Sequence, residues 1–196
     1  APRFRHGYDN FHVERTKLAQ DAVPRNTRED IVYDVIVIGA GHAGCEAALA
    51  SARMGCRTLL LAIDLDKIAA MPCSPSIGGM AKGQLVKEID ALGGEMAKIT
   101  DQTAIQYRTL NTKKGPAVQA SRTQNDKIRY HIAMKAVIEA QAGLNLKQAL
   151  IERLVVENGR IVGVLDHTGY GYQSDAVILA TGTFLSGLVH IGFNSI

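Results

Sequence analysis

The stretch that most restricts the fold is a hydrophobic run ending in a glycine-rich turn, and residues 31–53 read IVYDVIVIGAGHAGCEAALASAR. The branched apolar run predicts a buried strand of a parallel sheet at 31–39, and the alanine-rich segment predicts a helix from about 43 to 54. Between them, Gly39, Gly41 and Gly44 have the GxGxxG spacing. A strand, a tight glycine turn and a helix are typical of the first unit of a doubly wound sheet that binds a dinucleotide.

Each glycine of this turn has its own expected role. Gly39 allows the tight turn, Gly41 lets the backbone approach a pyrophosphate, and Gly44 lets the helix pack closely on the strand. The free amides at the helix start favour an anion. His42 is expected either to approach phosphate or to face solvent. The predicted cofactor-binding residues of the turn are Gly39, Ala40, Gly41, His42, Ala43 and Gly44.

The acid that usually binds the ribose at the end of the second strand is missing, because that place falls at Ala62. Asp64 lies two residues further on. It is either a substitute for the ribose-binding acid or a surface residue. The remaining pattern predicts these elements: strands at 57–63 and 104–110, helices at 82–92 and 122–142, short strands at 151–156, 160–165 and 170–173, and a last buried strand at 175–184. The apolar face predicted for the long helix consists of Ile128, Ile132, Ala133, Ala136, Val137 and Ala140.

The element pattern therefore predicts an α/β fold with a doubly wound parallel sheet and a small antiparallel meander. Resemblance to flavoproteins implies that this fold is a Rossmann-like FAD-binding domain, incomplete in this chain. Residues 1–30 are expected to be a poorly ordered tail, and residues 31–196 the N-terminal part of the FAD-binding domain. FAD is favoured over NAD as the sole cofactor because long inserted material, a helix and a meander follow the second strand. That order resembles the large flavoproteins with two dinucleotide domains. The resemblance implies that the turn Ala180, Thr181, Gly182 lies beside the cofactor and that the backbone of Ile151 meets the adenine.

Charge and cysteine content limit the classes of function that this chain can have. The 196 residues carry a net charge of +3, and seven basic residues against Asp126 place +6 of local charge in residues 108–135. This segment is either an anion-binding face or a solvated helix face. No apolar run is long enough for a bilayer span, no His, Cys or acid cluster has metal-ligand spacing, and the three cysteines form no CxxC pair. These features predict a cytoplasmic protein without a metal site.

A second unusual stretch is MPCSPSIGGM, residues 71–80, where Cys73 lies between two prolines and ahead of Gly78 and Gly79. The prolines stiffen the loop, and the glycines let its backbone lie close to a flat ring. Cys73 is either a reactive thiol near a flavin or substrate base, or a buried structural thiol. Ser76 is a candidate cap of the following helix, and His131 is expected at the surface of the long helix. The other two cysteines, Cys45 and Cys56, are expected to be small core residues.

Three segments together resemble the tRNA uridine 5-carboxymethylaminomethyl modification enzymes, the glucose-inhibited division protein A family. They are GAGHAGCEAALASARMG, the Cys-x-Pro-x-Ile-Gly-Gly loop with its continuation to residue 111, and KKGPAVQASRTQNDK. The resemblance covers about residues 32–192. It implies an FAD enzyme, not associated with membranes, that acts with a GTPase partner subunit on the wobble uridine of tRNA.

The same resemblance implies a homodimer as the full-length protein, NADH to reduce the flavin, and methylene-tetrahydrofolate as the one-carbon donor. Cys73 is then a candidate catalytic nucleophile. Arg108, Lys113, Lys114 and Arg122 are candidate nucleic-acid-binding residues. The alternatives are a folate- and FAD-dependent tRNA uridine methyltransferase, another FAD- or NAD-dependent oxidoreductase, and a non-catalytic nucleotide- or RNA-binding fragment. The 196-residue piece alone is expected to be inactive.

Overall fold

The computed structural model describes residues 31–183, 185, 187–188 and 190–195. The expected tail, residues 1–30, lies outside the described residues. The strands are β1 (Val32–Ile38), β2 (Thr58–Ala62), β3 (Ser76–Gly78), β4 (Ala104–Leu110), β5 (Ala120–Asn125), β6 (Leu144–Gln148), β7 (Ile151–Glu157), β8 (Arg160–Asp166), β9 (Gly171–Leu179), β10 (His190–Ile191) and β11 (Asn194–Ser195). The helices are α1 (His42–Arg53), α2 (Lys82–Ala91), α3 (Met96–Thr103) and α4 (Lys127–Ala140), with short 3-10 turns at Leu65–Lys67 and Pro116–Val118.

The main sheet has six strands in the order β6-β2-β1-β9-β8-β7. Strand β1 pairs in parallel with β2 on one side and with β9 on the other, and β6 continues the parallel part beyond β2. Strands β7 and β8 form an antiparallel meander with β9. The chain passes from β1 to β2 on one side and later returns as β9 on the other side of β1. The carboxyl end of β1 is therefore a topological switch point. The predicted fold class is confirmed.

Alternating side chains of the parallel strands supply two separate cores. Val37 of β1 and Leu60 of β2 pack with helices α1, α3 and α4 on one face. Ile36 and Leu59 point to the other face, where they pack with Val164 of the meander. This alternation follows from the two-residue period of a strand. Because both faces are covered, the continuous apolar runs that predicted buried strands are explained.

The sequence pattern did not reveal a second sheet, of three antiparallel strands in the order β3-β5-β4. It also missed β6 and α3. The prediction that the long helix begins at residue 122 is wrong, because residues 122–125 belong to β5, the central strand of this sheet. Helix α4 begins after them, where the Asp126 carboxylate accepts hydrogen bonds from the amides of Ile128 and Arg129. An aspartate in this position is a strong N-cap.

The predicted apolar face of α4 was wrong in part, because Ala133 and Val137 pack against the core but the two isoleucines do not. Ile128 and Ile132 are 63% and 58% exposed, whereas Tyr130, Met134 and Ile138 are buried against the sheet. The buried three are spaced by four residues and form a stripe as regular as the predicted one. Two further strand predictions, 170–173 and 175–184, are replaced by the single strand β9. In the described part of the chain, no helix is both long enough and apolar enough to cross a membrane.

Candidate dinucleotide site

The glycine turn lies at the switch point, held between two neighbouring strand ends. The Gly39 amide donates to the carbonyl of Leu61 at 2.8 Å, and the Ala180 amide donates to the carbonyl of Ile38 at 2.8 Å. Gly39 has φ +101°, a conformation that favours glycine, and a Cβ added to it would collide with the carbonyl oxygen of Ala180. The structure therefore brings the Ala180–Gly182 turn directly against the GxGxxG turn, as the predicted site requires.

The other two glycines of the turn differ sharply in their surroundings. A Cβ on Gly44 would collide with the carbonyl oxygen of Gly39, so this glycine allows α1 to pack tightly on the strand end. Gly41 is exposed, and apart from its own neighbours in the chain no described atom lies within 4 Å of a Cβ added there. Open space at Gly41 is what the approach of a pyrophosphate needs.

The start of α1 also suits an anion. In the described part of the chain, no side chain caps this helix and no acid lies in its first turn. The first amides are thus left for a ligand, and the helix dipole adds partial positive charge there. The residues present fit the diphosphate of a dinucleotide. The remaining turn residues Ala40 and Ala43 are buried and exposed, respectively.

Two further candidate residues, Asp64 and Ile151, follow the carboxyl ends of β2 and β6. Ile151 begins β7, and its side chain packs against the meander core. Two residues earlier, the Ala149 amide donates to the carbonyl of Ala62, so Ile151 follows closely on the carboxyl end of β2. Asp64 is exposed, and its Oδ1 accepts from the Asp66 amide at 2.8 Å, which caps a short 3-10 turn. Its other carboxylate oxygen remains available to a ribose.

His42 packs inward in a way that neither sequence-based alternative anticipated. Its ring is half-buried and stands edge-on to the ring of Tyr130, with 5.6 Å between centroids. Its Nδ1 and the Tyr130 hydroxyl are both buried and have no hydrogen-bond partner among the described residues. Burial lowers the pKa of His42, so the imidazole is neutral near pH 7.

The segment that carries Cys73 is attached to the glycine turn through its backbone. The Ala69 amide donates to the carbonyl of Ala40 at 2.8 Å. His131, which the sequence placed at the surface, is half-buried, and its Nδ1 lies 2.6 Å from the carbonyl oxygen of Ile68. The exposed Cys73 thiol follows four residues after Ala69, within roughly 14 Å along an extended chain.

Cys45 contrasts with Cys73. It is buried in the helix-side core and donates its thiol hydrogen to the carbonyl of Ala40 at 3.4 Å. Burial raises the pKa of Cys45 to about 12. Cys45 is a core thiol, as predicted, and Cys56 is half-buried. Cys73 is exposed, so its reading as a buried structural thiol was wrong.

The Cys73 loop is fixed to the second sheet. A Cβ on Gly78 or on Gly83 would collide with the carbonyl oxygen of Ser121, and the Gly79 amide donates to that same oxygen at 2.8 Å. The Asn125 amide donates to the carbonyl of Pro75 at 2.6 Å. The glycines therefore meet the backbone of β5, a reason for their presence that the sequence pattern did not indicate.

Ser76 does not cap helix α2, so that prediction was wrong. The residue at the cap position is Ala81, which has φ +61°. The Ser76 hydroxyl instead lies 2.9 Å from that of Ser74 and accepts from Nη2 of Arg122 at 3.4 Å.

The four predicted nucleic-acid-binding residues all belong to this second sheet or its connecting loop. Arg108 on β4 and Arg122 on β5 are directly opposite each other, and both are exposed. Lys113 and Lys114 are exposed in the loop between the two strands. None of the ion pairs found among the described residues involves any of these four. In that part of the chain, no group of His, Cys, Asp and Glu could hold a metal ion.

A family model for glucose inhibited division protein A matches residues 34–196. The chain belongs to this family. The tRNA uridine 5-carboxymethylaminomethyl modification enzyme MnmG of Syntrophobacter fumaroxidans is 68% identical over 164 residues, and the enzyme of the same name from Geotalea uraniireducens is 63% identical over 163 residues. These alignments cover 84% and 83% of this chain. The chain spans 26% of the length of either relative.

Solved structures of the family agree with this assignment. GidA of Aquifex aeolicus is similar with a TM-score of 0.82 and 52% identity, over 85% of this chain and 28% of that one. The GidA-related protein of Thermus thermophilus is 25% identical with a TM-score of 0.59, over 83% of this chain and 59% of that one. A protein of Pseudomonas aeruginosa described as a probable FAD-dependent monooxygenase, 16% identical with a TM-score of 0.57 over 79% of this chain and 43% of that one, shares the fold alone.

Proposed function

We propose that residues 31–196 are the N-terminal part of the FAD-binding domain of an enzyme that modifies C5 of the wobble uridine of tRNA. The observation that carries this proposal is the open, uncapped amide turn at Gly41, in a chain that belongs to the glucose-inhibited division protein A family. The relatives named above carry a carboxymethylaminomethyl modification activity in their names.

The cofactor of this proposal is FAD, which supplies the redox chemistry when bound. Gly39, Gly41 and Gly44 would hold the diphosphate with the amides of Ala40, His42 and Ala43. Ala180, Thr181 and Gly182 would line the same crevice, and the backbone of Ile151 would meet the adenine. Support comes from the closeness of Ala180 to Gly39 and from the fold shared with an FAD-dependent protein.

Cys73 is the proposed nucleophile of the uridine chemistry. Its thiolate would add to C6 of the uracil, and the electron pair of the C5–C6 double bond would move to C5 and the adjoining carbonyl. C5 would then form a bond to the methylene carbon of methylene-tetrahydrofolate as one of its carbon–nitrogen bonds to the folate breaks. An amine nitrogen would displace the remaining folate nitrogen, so that tetrahydrofolate leaves and the aminomethyl group stays on C5. Loss of the C5 proton would restore the double bond as the thiolate leaves. The exposure of Cys73 on a loop anchored at Ala40 supports this role.

The basic residues of the second sheet and of its connecting loop would form an anion-binding face. We assign Lys113 and Lys114, exposed on the loop after β4, to the phosphate backbone. Arg108 and Arg122 belong to the same anion-binding face. For the full-length protein we further propose NADH as the reductant, a GTPase partner subunit, a homodimer and a cytoplasmic location, where its tRNA substrate is found.

The test uses the full-length protein expressed with its natural reading frame. Purified protein should be yellow with bound flavin. With a GTPase partner, GTP, NADH, methylene-tetrahydrofolate and an amine, it should convert the wobble uridine, as measured by mass spectrometry of digested tRNA. A colourless protein that takes up NAD but not FAD would favour a dehydrogenase. RNA binding that persists without flavin, together with no change in the uridine, would favour a binding module. Cys73→Ser should abolish the modification while flavin remains bound, and full activity of this variant would remove Cys73 from the mechanism.

A further inference from the structure

Two arginines face each other in the second sheet. Arg108 and Arg122 are register partners in the antiparallel pair of β4 and β5. Side chains at such positions project from the same face, with Cβ atoms about 5 Å apart. Like charges placed directly opposite each other destabilise a sheet. Among the described residues no carboxylate pairs with either arginine, so the protein retains this repulsion without an internal counter-charge.

The pair adjoins the segment that carries Cys73. Arg122 is also the register partner of Gly78 in β3, and its Nη2 donates to the Ser76 hydroxyl. The Ser76 hydroxyl lies 2.9 Å from that of Ser74, the residue next to Cys73. A continuous series of polar groups therefore runs from the arginine pair to the proposed reactive thiol. An anion between the arginines would be bound close to the chemistry.

The size and shape of the pair favour one compact anion. Two guanidinium groups that start from neighbouring Cβ atoms can converge on a single group, and the planar fork of arginine matches the two oxygens of a carboxylate. Lys113 and Lys114 lie apart from this pair on a loop, where a series of backbone phosphates is more easily reached. The modification named in the relatives, carboxymethylaminomethyl, contains an amine that carries a carboxylate.

We propose that Arg108 and Arg122 bind the carboxylate of the small amino acid whose nitrogen becomes attached to the uridine methylene, and that they select this amine over amines without a carboxylate. Glycine has the required structure, since a carboxymethylamino group is a glycine bound through its nitrogen. This inference rests on the proposed function. It adds to it the residues that determine which amine is used.

The experiment uses the flavin-loaded full-length enzyme with its GTPase partner, tRNA, NADH and methylene-tetrahydrofolate. Glycine and methylamine, which differ only by the carboxylate, are each titrated as the amine. Arg122→Met and Arg108→Met should each raise KM for glycine by about 10- to 100-fold, as expected for the loss of hydrogen bonds to a charged group. KM for methylamine should change by less than about two-fold, because that amine makes no such contact. Arg122→Lys should show an intermediate KM for glycine, because charge remains while the fork is lost.

A second readout does not depend on turnover. Equilibrium dialysis of radiolabelled glycine against the flavin-loaded enzyme should show binding that acetate displaces and methylamine does not, and Arg122→Met should abolish it. Arg160→Met, at the exposed start of β8, is the matched control and should leave both KM values unchanged. Flavin content and the thermal midpoint report whether each variant is folded.

Three results would overturn the inference. Equal losses with glycine and methylamine, accompanied by weaker tRNA binding, would assign the arginines to phosphate contacts. Unchanged KM values for both amines in folded variants would leave the pair without this role. A wild-type enzyme that modifies uridine with neither amine would contradict the proposed function itself, and that failure is distinct from a failure confined to the arginine variants.

Discussion

The amide of Ala69 donates a hydrogen bond to the carbonyl of Ala40 at 2.8 Å, and this contact ties the Cys73 segment to the glycine turn. Both residues are buried, and Ala69 has φ +49°, an uncommon conformation for alanine. The Nδ1 atom of His131 contacts the carbonyl oxygen of Ile68, the residue before Ala69. The glycine turn and the Cys73 segment are therefore positioned by one another, although Cys73 comes 33 positions after Ala40 in the chain.

Substitutions of Gly41 and Gly44 should separate cofactor binding from folding. Gly41→Ala places a methyl group in open space, so the full-length protein should fold, while flavin affinity falls by about ten-fold or more because the pyrophosphate needs that space. Gly44→Ala places the methyl group against the Gly39 carbonyl and should lower the thermal midpoint of the apoprotein. Flavin fluorescence titration and thermal unfolding measure the two effects. The reverse assignment, a stable Gly44→Ala and an unfolded Gly41→Ala, would contradict the geometry.

Alkylation should distinguish the exposed and buried thiols. With the pKa of Cys45 near 12, only about one thiol in ten thousand is ionised at pH 8, and the group is also buried. Iodoacetamide should label Cys73 in the native full-length apoprotein and Cys45 only after denaturation, as read by peptide mass spectrometry. Added FAD should slow the labelling of Cys73. If Cys73 is labelled at the same rate with and without FAD, the Cys73 loop does not lie beside the cofactor.

The neutral His42 should make stability fall in mild acid. Its pKa is lowered from 6.5 in the folded state, so below about pH 6.5 the unfolded chain binds a proton that the folded chain does not. The contribution to stability is present above that pH and is lost as the pH falls towards the folded pKa. His42→Gln should therefore reduce the drop in thermal midpoint between about pH 7.5 and about pH 5.5. The control is His167→Gln, an exposed residue, and an equal effect of both substitutions would refute the assignment.

The loop lysines should contribute to the salt dependence of tRNA binding. If Lys113 and Lys114 contact phosphates, replacing both with alanine should reduce the slope of log affinity against log salt by about 2, roughly 1 for each lysine. Filter binding over a salt series measures this slope. Lys87→Ala, an exposed residue on α2, should leave the slope unchanged. A slope unaffected by the double substitution would identify the loop as solvated surface.

Local patterns were sufficient to predict the geometry of the glycine turn. The spacing of Gly39, Gly41 and Gly44 depends on contacts between residues close in sequence, and the structure gives each glycine surroundings suited to its expected role. The turn at Ala180 was placed by resemblance, and it lies against Gly39. The apolar runs of β1 and β2 were also clear, because strands buried on both faces admit few polar residues.

The second sheet could not be predicted in the same way. The helix-like pattern begins at Arg122 and continues to residue 142. Residues 120–125 form a strand because they pair with β3 and β4, and helix α4 starts only after the Asp126 cap. The orientation of α4 was equally ambiguous, since two stripes of apolar residues fit the helical period. Packing against the sheet selected the stripe that contains Tyr130.

The sequence by itself determined the class of fold, the glycine turn and the membership of this chain in its family, because these depend on short-range patterns of glycine and apolar residues. Only the tertiary structure decided that Arg108 and Arg122 stand face to face beside the Cys73 loop and that His42 turns inward onto Tyr130. Those relationships arise from strand register and helix orientation. Both are set by the simultaneous burial of many distant side chains, which no local pattern of residues encodes.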